Sequence, residues 1–71
     1  KDDRLFPVQV CYEINDENRK REIDGLIEAC RWLSTKEGTI ITYDEEKEMK
    51  LDGINIKIIP AWKWMIQEWK N

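Results

Sequence analysis

The chain contains no histidine, which removes the usual base for a nucleophilic serine or cysteine and the commonest metal ligand. Its two cysteines, Cys11 and Cys30, have no C-x-x-C spacing, so neither a zinc site nor a disulfide framework is encoded. Glycine is scarce, three in 71 residues, and no glycine-rich phosphate loop can be assembled from it. An excess of basic residues is missing as well. A net charge of −3 and a pI near 4.9 exclude a generic nucleic-acid binder and leave room only for a local basic patch. No apolar run approaches the ~20 residues that span a bilayer. With no secretory leader in view, reduced and buried thiols in a cytoplasmic protein are the plain expectation.

What is present is bulky and periodic. Four tryptophans, two tyrosines and a phenylalanine crowd a chain that is 38% charged. The length allows one domain over 1–71, and a small domain holds only marginal stability unless a partner adds to it. Residues 1–5 read as a loose, charged lead-in. A strand is expected from about Phe6 to Ile14. In it Val8, Val10, Tyr12 and Ile14 form an apolar face, while Gln9, Cys11 and Glu13 line the other. Asn15 or Asp16 can cap a helix running to about Lys36, with Ile23, Leu26, Ile27, Cys30 and Leu33 as one buried stripe. Gly38 is placed to stop it.

Thr39–Tyr43 reads as a β-branched second strand, parallel to the first by a βαβ crossover. The acidic stretch Asp44–Glu48 suits a solvated loop or a charged edge strand. Asp52-Gly53 between Met49/Leu51 and Ile54/Ile56/Ile58 is a two-residue hairpin signal. Pro60 then opens a last helix, whose Trp62, Met65, Ile66 and Trp69 share a face expected to pack on the sheet. The fold class is α/β, of the mixed α+β kind: a small mixed sheet in β-α-β-β-β-α order. Parallel strands normally sit inside a larger, covered sheet, so one flank should stay open until upstream sequence or another copy closes it.

Three groups could carry function. Gln9, Cys11 and Glu13 lie on one strand face ahead of a helix, the layout on which metal-dependent nucleases place an acid and a lysine. An amide and a soft thiol suit Mg²⁺ poorly, which leaves Glu13 as the acid of that face. Arg19, Lys20 and Arg21 cluster at the helix start, for a phosphate or acidic partner, or as a solvated face paired with local acids. Trp32 and Trp64 fall off their helices' apolar stripes, where a partner surface or a neighbouring element would have to cover them.

The chain resembles a known family through four blocks: Val8–Tyr12, Arg21–Ala29, Glu37–Tyr43 and Ile58–Trp64. It is similar to the C-terminal, restriction-endonuclease-like domain of predicted bacterial and archaeal AAA-type ATPases. The resemblance implies a PD-(D/E)XK-type partial core with Gln9 and Cys11 at the places of the motif's acid and lysine. It implies an upstream ATPase domain as partner, ATP and Mg²⁺ belonging to that domain, and no cofactor in this segment. Asp2 and Asp3 do not match the acidic strand that precedes the family's core. The resemblance therefore points to a degenerate, non-catalytic module for binding or assembly. A weak divalent-metal-dependent DNA nuclease completed by upstream residues, and a protein–protein dimerisation module, are the alternatives. Nucleic acid would bind weakly, and no membrane is expected.

Overall fold

A computed structural model describes residues 5–69, with side chains as far as Gln67. Residues 1–4 of the expected 1–5 lead-in and the Trp69 side chain lie outside the described residues. The elements run β1 (Val8–Val10), α1 (Arg19–Trp32), β2 (Glu37–Thr42), β3 (Lys47–Leu51), β4 (Ile54–Pro60) and α2 (Ala61–Trp69). They follow the expected β-α-β-β-β-α order. The strands form one mixed sheet ordered β1-β2-β4-β3, with β1, β2 and β4 parallel and β3 antiparallel on the far edge. The hairpin is where Asp52-Gly53 placed it. Both residues carry positive φ, 52° and 76°, the pair that a two-residue turn matching strand twist requires.

The core lies between α1 and one sheet face. Ile40 of β2 and Ile54, Ile56 and Ile58 of β4 point at Ile23, Leu26, Ile27 and Cys30. This is the predicted stripe, less its last member. Leu33 is exposed because α1 stops at Trp32, short of the expected Lys36. Ser34 takes the left-handed conformation at φ 55°. Its N–H donates to the Arg31 carbonyl at 3.2 Å, and the Thr35 N–H donates to the Cys30 carbonyl at 2.9 Å. Those two bonds are a Schellman ending with serine where glycine is commoner.

Gly38 therefore terminates nothing. It sits inside β2 beneath α1, where an added Cβ would lie 2.9 Å from Leu26 Cγ and 3.0 Å from Cys30 Sγ. Its role is to let helix and sheet approach. The helix start also differs from the expectation. Asn15 Oδ1 accepts from the N–H groups of Glu17 and Asn18 at 2.9 and 3.0 Å. Asn18 Oδ1 accepts in turn from the Asn15 N–H at 2.9 Å. These bonds compete with helix and hold the chain in a turn, so regular helix begins only at Arg19.

Two apolar faces are inverted relative to the sequence pattern. β1 covers three residues rather than Phe6 to Ile14, and Val8, Val10 and Tyr12 of its apolar set are exposed. Ile14, beyond the strand, turns back into the core. On α2, Trp62, Met65 and Ile66 face outward, while Trp64 is half-buried. Trp64 and Gln67 share an open groove of about 630 Å³ with Phe6, Thr39, Lys57 and Ile59. The cause is the register. Gln9 pairs with Ile40, and Val8 and Val10 pair with Thr39 and Ile41. With Ile40 turned into the core, Gln9 faces α1, and the valines fall on the opposite face with Ile41 and Ile59.

Candidate functional site

Helix α1 closes over the face of β1 that carries Gln9 and Cys11. The Gln9 side-chain amide donates to Glu22 Oε1 at 2.6 Å and to the Glu22 main-chain carbonyl at 3.2 Å. Glu22 sits in the first turn of α1, and its side chain is only 19% exposed. The Arg21 guanidinium stands 3.7 Å from its other oxygen. The strand amide is thus held between a helix carboxylate and a helix carbonyl.

Cys11 continues the same face. Its thiol donates to the Glu13 carbonyl at 3.2 Å, and its sulfur lies 3.8 Å from the Asn18 amide nitrogen. Burial pushes the Cys11 thiol above its ordinary value and the Glu22 charge adds to that, against the Glu13 hydrogen bond and the Arg21 charge. Burial likewise raises the thiol of Cys30, which lies within the core with its proton turned to the Glu37 carbonyl at 3.4 Å. Both cysteines are free and both are held as neutral thiols, the inert form.

Glu13 does not join this group as a third strand residue. It lies past the end of β1, exposed, with its carboxylate accepting from the Asn15 side-chain amide at 3.3 Å. The strand was expected to run on to Ile14, and its early end carries Glu13 away. The acid that does meet Gln9 is Glu22, which strand alternation alone could not find. The signal was its position one turn before Leu26 on the buried stripe, close enough to the sheet-facing side of α1 to reach an edge strand. Among the described residues, no three His, Cys, Asp or Glu side chains gather as a group that could hold a metal ion.

Gln9→Glu tests how fully this contact is committed. It would set a second carboxylate against that of Glu22, and the variant should lose about 1–3 kcal/mol at pH 7 by urea unfolding. Protonating either carboxylate removes the repulsion and restores a donor between the two side chains. The difference from wild type should accordingly shrink in acid. A constant difference across pH would show that Gln9 and Glu22 are not in contact.

The basic cluster is exposed and mostly paired. Lys20 Nζ lies 2.7 Å from Asp24 Oδ2 one turn on, a hydrogen bond that raises the lysine's pKa. With Arg21 at Glu22, the solvated, self-paired alternative describes this face. Trp32 is 82% exposed on the outer side of α1, near Arg31, which bridges to Asp52 of the hairpin at 3.2 Å. Trp64, by contrast, is half-buried in the groove. The two tryptophans therefore do not belong to one surface. A different aromatic pair emerges at the carboxyl ends of β1 and β2. Tyr12 and Tyr43 stack with centroids 5.2 Å apart, joined by the Tyr43 N–H donating to the Tyr12 carbonyl at 2.9 Å.

No helix among the described residues is long and apolar enough to cross a membrane. No family model matches the chain, and no solved structure matches it. The uncharacterized protein MJ1544 of Methanocaldococcus jannaschii is 37% identical over 65 residues, which covers 83% of this chain and 15% of that protein. The chain thus spans less than a fifth of the length of the curated relative it matches.

Proposed function

We propose that the domain is a non-catalytic, nuclease-like C-terminal module of an AAA-type ATPase, acting in binding or assembly. The observation that carries this reading is the closure of Gln9 onto Glu22. A metal-dependent phosphodiesterase needs carboxylates free to take Mg²⁺ and a cation to hold the attacking water. At the two places where the resemblance puts those groups, this chain has an amide bound to α1 and a thiol bound to a nearby carbonyl. The far greater length of the archaeal relative is in keeping with a segment of a larger machine. ATP and Mg²⁺ would then act in the rest of that polypeptide, and the free thiols agree with a cytoplasmic setting.

One observation favours a second reading. Glu22 places a carboxylate beside Gln9, and with Glu13 and upstream acids it could serve a weak divalent-metal-dependent nuclease. Incubation with plasmid and single-stranded DNA under Mg²⁺ and Mn²⁺ titration separates the two. Wild type, Gln9→Ala and Glu22→Ala should all leave both substrates intact. Divalent-dependent cleavage that disappears in Gln9→Ala and in Glu13→Ala or Glu22→Ala would establish the nuclease and remove the binding-module reading.

A further inference from the structure

The dipeptide Asp-Gly occurs twice, in nearly the same local sequence: Ile23-Asp24-Gly25-Leu26 and Leu51-Asp52-Gly53-Ile54. Asp-Gly is among the dipeptides most prone to cyclise, because glycine has no side chain to hinder attack of its amide nitrogen on the aspartyl carboxyl. The two carboxylates have closely matched surroundings. Asp24 is 58% exposed and meets Lys20 at 2.7 Å, while Asp52 is 65% exposed and meets Arg31 at 3.2 Å. Their backbones are not matched. Gly25 lies inside α1, where its N–H is committed to the carbonyl one turn back. Gly53 lies in the turn between β3 and β4. The ladder closes at the Leu51–Ile54 pair, so the Gly53 amide has no place in it, and a Cβ built on Gly53 would find nothing within 4 Å. Parting Leu51 from Ile54 frees the Gly53 amide, whereas the Gly25 amide is freed only by unwinding the middle of a packed helix. Local opening of the first kind is much the more frequent event.

We infer that Asp52, and not Asp24, is a site of spontaneous isomerisation to isoaspartate in the folded protein. The Gly53 amide nitrogen attacks Cγ of the protonated Asp52 carboxyl. A N–Cγ bond forms, the amide proton is lost, and the carboxyl hydroxyl leaves with it as water, giving a five-membered imide. Water then adds to one of the two imide carbonyls. Breaking the new N–Cγ bond returns aspartate. Breaking instead the bond from Gly53 nitrogen to the Asp52 main-chain carbonyl carbon routes the chain through Cβ and Cγ, and that carbonyl becomes the free carboxylate. One water leaves and one enters, so the mass is unchanged and no oxidant or cofactor takes part. The product lengthens the turn by one backbone atom. Asp52 and Gly53 hold φ 52° and 76° to close a two-residue turn, a fit that the extra atom breaks. The pairs Leu51–Ile54 and Met49–Ile56 follow directly from that turn. Ile54 and Ile56 belong to the core and Met49 packs against it, so a change at the exposed tip reaches the interior.

The test is peptide mapping of the 71-residue chain after prolonged incubation in warm, mildly acidic buffer. Electron-transfer fragmentation distinguishes isoaspartate from aspartate at each site. Methyl transfer from S-adenosylmethionine by an isoaspartyl carboxyl methyltransferase measures the total. Isoaspartate should build up at Asp52 at least about tenfold faster than at Asp24 while the chain is folded. In urea that unfolds the chain, the two near-identical tetrapeptides should react at similar rates. Asp52→Asn keeps the turn, since Asn-Gly is a preferred pair for it, and should convert through the same imide with loss of ammonia. Asp24→Asn should keep its amide in the folded state. The isoaspartyl form, separated by chromatography, should unfold at a lower urea concentration than wild type. Equal accumulation at the two sites in the folded protein, or none at Asp52 while the unfolded chain reacts, overturns the inference. So does an Asp24 that stays inert in urea, because sequence and not the helix would then protect it. An isoaspartyl form as stable as wild type would overturn the coupling of the turn to the core.

Discussion

Gly38→Val should abolish cooperative folding. Gly38 is a buried residue of β2, lying where α1 comes closest to the sheet. A Cβ there would stand 2.9 and 3.0 Å from Leu26 Cγ and Cδ1, and 3.0 Å from Cys30 Sγ. Neither neighbour has room to yield, since both are fully buried at 0% exposure. Alanine at this position should cost about 1–3 kcal/mol, the range for one excess group in a packed core. Valine adds two methyl groups to the same contact, which the layers can accept only by separating. A domain of this size holds about 3–5 kcal/mol in all, so the valine variant should have no folded baseline in urea. Circular dichroism and tryptophan fluorescence would report it, and a valine variant with a wild-type midpoint would show that the layers are not in contact at Gly38.

The same position shows what the sequence could and could not convey. A glycine after an apolar helical stripe reads as a terminator, because helices often end at a left-handed glycine. Here the left-handed residue is Ser34, and the glycine answers to a contact between segments that only the fold brings together. The asparagines behaved similarly. Asn15 was legible as a helix-start signal, but its reciprocal bonds with Asn18 delay the helix to Arg19.

Features set by neighbours along the chain were legible: the Asp52-Gly53 hairpin, the strand order in sequence, the parallel βαβ unit and the stripe from Ile23 to Cys30. Which apolar face becomes the core was not, for β1 and α2. Alternation gives β1 two faces of different polarity, and burial normally selects the apolar one. The Ile40 register overrides that choice. It places Gln9 under α1 and leaves Val8 and Val10 outside. The candidate site inherits this inversion, since half-buried Gln9 bonds to the helix and half-buried Cys11 packs against the core beneath it. On α2, Trp64 takes the inner position because it can reach Ile59 and Phe6 across the groove, and the stripe of Trp62, Met65 and Ile66 is left facing out.

Leu26→Ala is the second change with a large expected effect. Leu26 is fully buried at 0% exposure between α1 and the β-branched floor of Ile40, Ile56 and Ile58. Truncating its isobutyl side chain to a methyl should cost about 3–5 kcal/mol, the lost transfer energy together with a cavity that rigid isoleucines cannot collapse into. That approaches the whole stability of the domain. The cavity, however, opens where Gly38 lacks a side chain. Gly38→Ala, harmful alone, should therefore become stabilising in the Leu26→Ala background, because its methyl group enters the vacated space. The double variant should unfold at a higher urea concentration than Leu26→Ala, with a coupling of at least ~1 kcal/mol, as expected for residues in direct contact. Strict additivity, with the double variant the least stable of the set, would mean that the two residues do not share one packing site. Rescue would establish the close approach of α1 to β2 on which the covered face of β1, and hence the closed Gln9–Glu22 contact, depends.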